Sequence, residues 1–296
     1  MRIVLPEESV GIRDLLVFVD DSKDWLELLT LAGDLALRHG CRLTAAYAPH
    51  WSYDQLEERK SAEIGLASAA DLAQLDRLVA ASMDEDAETV RAELEGFGQR
   101  TGLPVCFRRL KDTASVTLPQ EARCADLCIL RHSLTKGADP TSYTLAEKLV
   151  FTTGGPVLSI PFNPPAGTLG RNIAVAWNSS RASARSLRDA LPLIEAAEHV
   201  TVITINPDDY LTRPGVPPIE RLLEHLKLHG AEAQLTYLDG VAASAIGETL
   251  QDKAREAGAD LLVAGAFGQP RLWERLLGRA THDMLDQIKL PLLMSS

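Results

Sequence analysis

The chain is written twice, and that repetition constrains its fold more than any other feature. Asp14 to Ala48, DLLVFVDDSKDWLELLTLAGDLALRHGCRLTAAYA, recurs in outline as Asn172 to Ile205, NIAVAWNSSRASARSLRDALPLIEAAEHVTVITI. Each copy is a short β-branched run, a small polar turn (Asp20-Asp21-Ser22; Asn178-Ser179-Ser180), a helical stretch and a second apolar run. The copies also end alike. CADLCIL, Cys124 to Leu130, matches GADLLVA, Gly258 to Ala264, and GPVLSI, Gly155 to Ile160, matches LPLLMS, Leu290 to Ser295. A length of 296 residues suits two domains at roughly 150 residues each. Between the copies, Asn163-Pro164-Pro165-Ala166-Gly167-Thr168 reads as a linker, so the boundary is expected near 163–170, dividing the chain into 1–165 and 166–296.

Within each copy, apolar runs of five to seven residues alternate with amphipathic windows. In the second copy the runs are Ile173–Trp177, Val200–Ile205, Ala233–Leu238, Leu261–Gly265 and Pro291–Met294; the helical windows are Ala182–Ala197, Pro218–His229, Ser244–Ala257 and Ala280–Ile288. Runs that are apolar at successive positions are buried on both faces, which is how parallel strands covered by helices look. The pattern predicts an α/β fold of two tandem doubly wound, Rossmann-like domains. In the first copy the second crossover, Tyr53 to Gly98, is long, Ala-rich and charged, and is expected to form one long helix or two. The acidic run Asp84-Glu85-Asp86 is expected at a helix start or at a break between two helices, where carboxylates favour the dipole.

Composition excludes several function classes. Thirty Lys and Arg against forty-one Asp and Glu leave a net charge of -11, the wrong sign for a dedicated nucleic-acid binder. The charge is shared unevenly: 17 basic and 25 acidic residues precede the boundary, 13 and 16 follow it, so the second copy repels an anion less. No apolar stretch is long enough to span a bilayer, and Met1 to Asp14 lacks the apolar core of a signal peptide. Cys41, Cys106, Cys124 and Cys128 form no C-x-x-C pair and are expected to be buried, reduced thiols, which points to the cytoplasm.

In an open parallel sheet, ligands bind beyond the carboxyl ends of the strands where the strand order reverses. If the order is 3-2-1-4-5, the loops to inspect follow the first and fourth strands of each copy. After the fourth strand of the second copy stand Gly265-Ala266-Phe267-Gly268, then nine residues, then Gly278-Arg279-Ala280-Thr281 opening a helix. Gly265 and Gly268 let the backbone pass close to a ligand, and a helix opening at Gly278 offers free N–H groups to a phosphate. The plainer reading is that these glycines shape turns. Trp273 and Leu276-Leu277, inside the loop, read as its anchors on the domain.

These residues resemble the universal stress proteins in their tandem two-domain form. Nucleotide-binding members of that family carry G-x2-G-x9-G-[ST] after the fourth strand, and Gly265, Gly268 and Gly278 match that spacing. WNSSRASARSLRDALPL at Trp177 is similar to the family's first strand and helix, and PLLMSS to its last strand. The resemblance implies five-stranded parallel sheets of order 3-2-1-4-5 and a site for ATP or ADP, with Mg, in the second domain. Asn178 and Ile205 would border adenine and ribose, Ala264 and Gly265 the base side, and Gly268, Gly278, Arg279 and Ala280 the phosphates. Two departures stand out. Arg279 replaces the family's Ser or Thr, and Asn178 replaces an Asp whose carboxylate contacts the nucleotide.

The first copy keeps the Asp-x-Ser turn, Asp20-Asp21-Ser22, and loses the glycines. Aligning Asp126 on Asp260 places Arg131, Leu134 and Thr144 where the three glycines belong, so this half is not expected to hold a triphosphate. Two functional readings follow. One is a stress-response protein that binds an adenine nucleotide in its second domain, with at most slow ATP hydrolysis. The other is a scaffold that binds no nucleotide, recruits a protein partner, and pairs its halves through their last strands as a pseudo-dimer. Either form could be a monomer or a dimer of tandems. No catalytic motif is present: H-x-G-H, S-G-G-x-D-S, G-x-S-x-G, H-E-x-x-H and G-x4-G-K-[ST] are all absent. No metal centre is expected. His225 and His229 stand four apart on one helical face, which suits a metal, but without a third ligand near in sequence they read as a solvated face. His132-Ser133 reads as loop.

Overall fold

The computed structural model describes residues 11–20, 24–48, 69–110, 114–132, 144–164, 167, 169–209, 212, 214–266, 284–285 and 288–296, with side chains between 69 and 101 taken from Asp84 onward. The first half runs β1 (Asp14–Val19), α1 (Trp25–His39), β2 (Arg42–Tyr47), α2 (Ala69–Thr101), β3 (Val105–Arg109), α3 (Ala114–Ala122), β4 (Leu127–Arg131), α4 (Leu145–Thr152) and β5 (Val157–Ile160). The second runs β6 (Asn172–Ala176), α5 (Arg181–Glu195), β7 (His199–Ile205), α6 (Glu220–Leu228), β8 (Ala233–Leu238), α7 (Ile246–Glu256), β9 (Leu261–Gly265) and β10 (Leu292–Ser295). The five runs expected in the second copy are its five strands, to within one residue or two.

All ten strands form one sheet of order β3-β2-β1-β4-β5-β10-β9-β6-β7-β8. Each half therefore has the order 3-2-1-4-5 with parallel pairing throughout. The halves meet at their last strands in an antiparallel ladder, Leu292 opposite Ser159, Leu293 opposite Leu158 and Met294 opposite Val157. Among the described residues, side chains also tie the halves across this seam. The Arg38 guanidinium donates to the Leu169 carbonyl, Arg185 Nη2 to Gly154 O at 3.0 Å, and Ser296 Oγ to Val150 O at 3.0 Å.

Strands apolar at every position bury both faces, and the two faces carry different helices. One core packs α1, α2, α5 and α6 through residues such as Leu29, Phe97, Leu193 and Leu226; it runs unbroken across both halves through Leu158 and Leu293. The other packs α3, α4 and α7 through Leu118, Leu149 and Leu250. Among the described residues no helix is long and apolar enough to cross a membrane.

Two expectations are corrected. Asp84-Glu85-Asp86 lies inside α2, a single 33-residue helix, and marks neither its start nor a break. Ala87, Val90, Leu94 and Phe97 are buried at helical spacing and carry the helix through, while Asp84 pairs with Arg109 on β3. Of the four cysteines only Cys41 and Cys128 are buried, with thiols pushed up to about 12 by loss of solvent. Cys106, on the edge strand β3, and Cys124, in the turn before β4, are exposed.

The repeat has a physical basis at the start of each fourth strand. Asp126 Oδ2 accepts from Arg13 N at 2.8 Å and Asp14 N at 3.0 Å, and Asp126 N donates back to Asp14 O. Asp260 does the same one copy later, accepting from Gly170 N at 2.6 Å and from Arg171 N and Asn172 N at 3.0 Å each. Each carboxylate pins the amino end of the first strand of its half to that of the fourth. Burial raises the pKa of Asp260, and its three amide donors and Arg38 oppose that rise. The raised carboxylate pKa adds to these hydrogen bonds a pH-dependent part of the stability, full below the ordinary value of 3.8 and lost as pH rises through the folded value. Asp260→Ala leaves three backbone donors without this acceptor, so urea unfolding at neutral pH is expected to show a loss of about 1–3 kcal/mol. The variant is also expected to lose this decline with pH; a wild-type slope across the acid range would contradict the assignment.

Candidate functional site

In the second half the chain leaves β6 for β7 and β8 on one side and reaches β9 and β10 on the other, so the strand order reverses between β6 and β9. Trp177, Asn178 and Ser179 follow β6, and Ser180 caps α5, its Oγ accepting from Ser183 N at 3.1 Å. Asn178 Oδ1 accepts from Ser180 N at 3.1 Å, closing an Asx turn. One acceptor of its amide is thereby engaged, while Nδ2 has no partner among the described residues.

Ser179 and Asn206 are the two non-glycine residues with positive φ among those described, at 57° and 49°. They stand just beyond the carboxyl ends of β6 and β7. Left-handed backbone away from glycine is uncommon, and it clusters at ligand clamps and active sites because surrounding contacts must hold it in place. Asn206 is held by a two-way clasp: its Nδ2 donates to Val241 O at 2.8 Å and its Oδ1 accepts from Val241 N at 3.1 Å. Asn206 N also donates to Leu238 O at 2.7 Å. The clasp fastens the segment after β8 to the end of β7. Beneath it Ile205, Ala264 and Ala266 are buried, and half-buried Ala176, Leu238, Val241 and Ile246 pack against the same cluster.

The structure thus brings Asn178, Ile205, Ala264 and Gly265 to the carboxyl ends of adjacent strands, as the sequence implied. Gly268, Gly278, Arg279 and Ala280 lie outside the described residues, as do Trp273 and Leu276-Leu277. Asn206 was missed. Its signal was present in the Asn206-Pro207 dipeptide, a turn marker directly after an apolar run.

Gly265 has a packing reason as well as an open-loop one. A Cβ there would lie 2.4 Å from Ser183 N and 2.5 Å from the Ala182 carbonyl carbon, inside backbone at the first turn of α5. The strand end and helix start touch, and Ser186 Oγ seals the contact by donating to Ala264 O at 2.8 Å. Gly265→Ala is expected to lower stability in urea unfolding by about 1–3 kcal/mol through forced backbone displacement. Unchanged stability would show that the two backbones are free to part.

The first half fills the corresponding place with its own side chains. Arg131, aligned with Gly265, turns its guanidinium onto the start of α1: Nη2 reaches Asp24 O at 3.0 Å and Glu27 Oε2 at 2.6 Å, and Nη1 reaches Pro161 O at 2.7 Å. Thr144, aligned with Gly278, caps α4 in a capping box. Its Oγ1 accepts from Glu147 N at 3.3 Å, and the buried Glu147 Oε2 accepts from Thr144 N at 2.7 Å. A carboxylate of the chain therefore stands where a helix start would otherwise attract a phosphate. Leu134 lies outside the described residues. His132, expected in loop, is buried directly after β4, where its N–H donates to Ile160 O at 2.7 Å.

A separate groove of about 330 Å³ lies between α2 and the edge strand β3, lined by Arg91, Leu94, Glu95, Val105, Phe107 and Arg109. Its arginines already face acids, Arg91 with Glu88 and Glu95 and Arg109 with Asp84, so it offers no uncompensated cation to an anionic ligand.

Among solved structures, the chain is similar over nearly its whole length to a universal stress protein from Archaeoglobus fulgidus DSM 4304. The TM-score is 0.69 at 14% identity, covering 97% of this chain and 98% of that one. It is also similar to a protein of unknown function from Pseudomonas aeruginosa PAO1, with a TM-score of 0.55 and 19% identity over 96% of this chain and 92% of that one. Compared with protein-family models and with curated proteins, the sequence matches none. The chain has the fold of a universal stress protein, with both α/β halves in one polypeptide.

Proposed function

We propose that this chain is a tandem universal stress protein of the cytoplasm that binds an adenine nucleotide, ATP or ADP with Mg, in a second domain spanning 166–296. Turnover is at most slow in this reading, because the sequence carries none of the motifs H-x-G-H, S-G-G-x-D-S or G-x4-G-K-[ST] that accompany phosphate chemistry. The observation that carries this reading is the contrast between the halves. At the crevice of the first, Arg131 and the helix-capping Thr144, which is bonded to the Glu147 carboxylate, stand in place of Gly265 and Gly278. At the second, left-handed Ser179 and Asn206 shape the rim and a half-buried apolar cluster underlies it. In this reading Ile205, Leu238 and Val241 take the flat face of the base, and Asn178 Nδ2 donates to a ring nitrogen or ribose oxygen. Gly268, Gly278, Arg279 and Ala280 would face the phosphates, with the Arg279 guanidinium in place of a hydroxyl. Titration calorimetry of nucleotide-free protein with MgATP is expected to give one site per chain, lost in Gly278→Val and retained in Arg131→Ala. No heat at millimolar nucleotide would refute the reading.

The Gly265 contact favours a second reading. Because the α5 backbone alone accounts for that glycine, the crossover need not serve a ligand, and the protein would act as a scaffold for a protein partner. Retention of a defined partner by Gly278→Val, in protein that carries no nucleotide, would support it.

A further inference from the structure

His225 stands in the last turn of α6 and His229 is the residue that caps it, four positions on, with the two rings in contact. The sequence offers no third group beside them, but the fold does: Glu195, the last residue of α5, reaches across so that its Oε1 stands 2.7 Å from His229 Nδ1. We propose that these residues form a site for a divalent transition-metal ion of the zinc and nickel class, with His225 and His229 as ligands and Glu195 as the positioning residue. The site is independent of the nucleotide crevice.

Three observations carry the assignment. An ionised carboxylate only accepts hydrogen bonds, so His229 donates to Glu195 through Nδ1, and it is Nε2 of the neutral ring that is left to face a metal. This is the arrangement by which metal-binding histidines are oriented: one ring nitrogen donates to a carboxylate and the other faces the metal. Next, the two ring centroids are 4.8 Å apart with the planes at 73°, so the rings are not stacked. With one nitrogen of each ring turned to a common metal about 2.1 Å away, the metal would lie about 3.2 Å from each centroid, and a centroid separation of 4.8 Å is compatible with an N–metal–N angle of about 97°. That angle falls between the octahedral and tetrahedral values.

The third observation is access. His229 and Glu195 keep 33% and 43% of their side-chain surface, and His225 is exposed, so water can complete the coordination shell. Among the described residues no cluster of three or more His, Cys, Asp and Glu side chains is arranged to enclose a metal, so the site is an open one with two protein ligands. Arg188 on α5 faces His225 and works against cation binding, while the Glu195 carboxylate offsets it.

Calorimetry of tag-free protein with zinc chloride and, separately, nickel chloride tests the site. One saturable event per chain at sub-millimolar metal is expected. His225→Ala and His229→Ala should each abolish it. Glu195→Gln should keep the event but weaken it about tenfold, because an amide no longer fixes the imidazole as a carboxylate does. All three positions are at least partly exposed, and circular dichroism of each variant confirms folding. Absence of saturable binding, or binding by His225→Ala equal to wild type, would overturn the proposal.

Discussion

Everything in this molecule hangs on the antiparallel ladder between β5 and β10. In either half alone the fifth strand would be an open edge, a row of unpaired donors and acceptors that invites association. Pairing Val157, Leu158 and Ser159 with Met294, Leu293 and Leu292 removes both edges at once. It also joins the two cores on one face, so that Leu158 and Leu293 belong to the same cluster as the interiors of both halves. Arg38, Arg185 and Ser296 add polar ties around the seam. A chain built this way already contains the pairing that two separate copies would have to find by association.

Duplication with divergence explains the asymmetry of the two crevices. Both halves keep the devices that hold the sheet: the Asp126 and Asp260 clasps, the strand order and the helix-covered faces. They differ at the carboxyl end of the fourth strand, where the second has Gly265 and the first has Arg131. The place of Gly265 is taken in the first half by Arg131, which bonds two groups at the start of α1, and the place of Gly278 by Thr144, which turns a helix start inward onto Glu147. A helix start and a strand end are polar places that need partners. One half satisfies them internally.

Much of this was legible in the sequence because it depends on local pattern. Apolar runs marked the strands, and the Asp-Leu pairs at Asp126 and Asp260 marked equivalent positions that the structure shows to be matching clasps. The departures at Arg131 and Thr144 were legible too, and both residues bond within their own half. What could not be read depends on residues distant in the chain. Asn206 finds Val241 35 positions away, and Glu195 finds His229 34 away. The exposure of Cys106 follows from β3 lying at the outer edge of the sheet, which the apolar run around it did not reveal. Asp84-Glu85-Asp86 misled for the opposite reason. Local charge suggested a terminus, and the buried stripe from Ala87 to Phe97 overrode it.

Hydrogen–deuterium exchange with and without MgATP tests the asymmetry of the two halves most directly. Slower exchange is expected at the amides after β6, around Ser179 to Ser183, and after β9, around Gly265 and Ala266, with the amides beyond β1 and β4 unchanged. Protection appearing around Asp24 and His132 instead, or nowhere in the chain, would contradict the assignment of a single ligand-holding crevice to the second half.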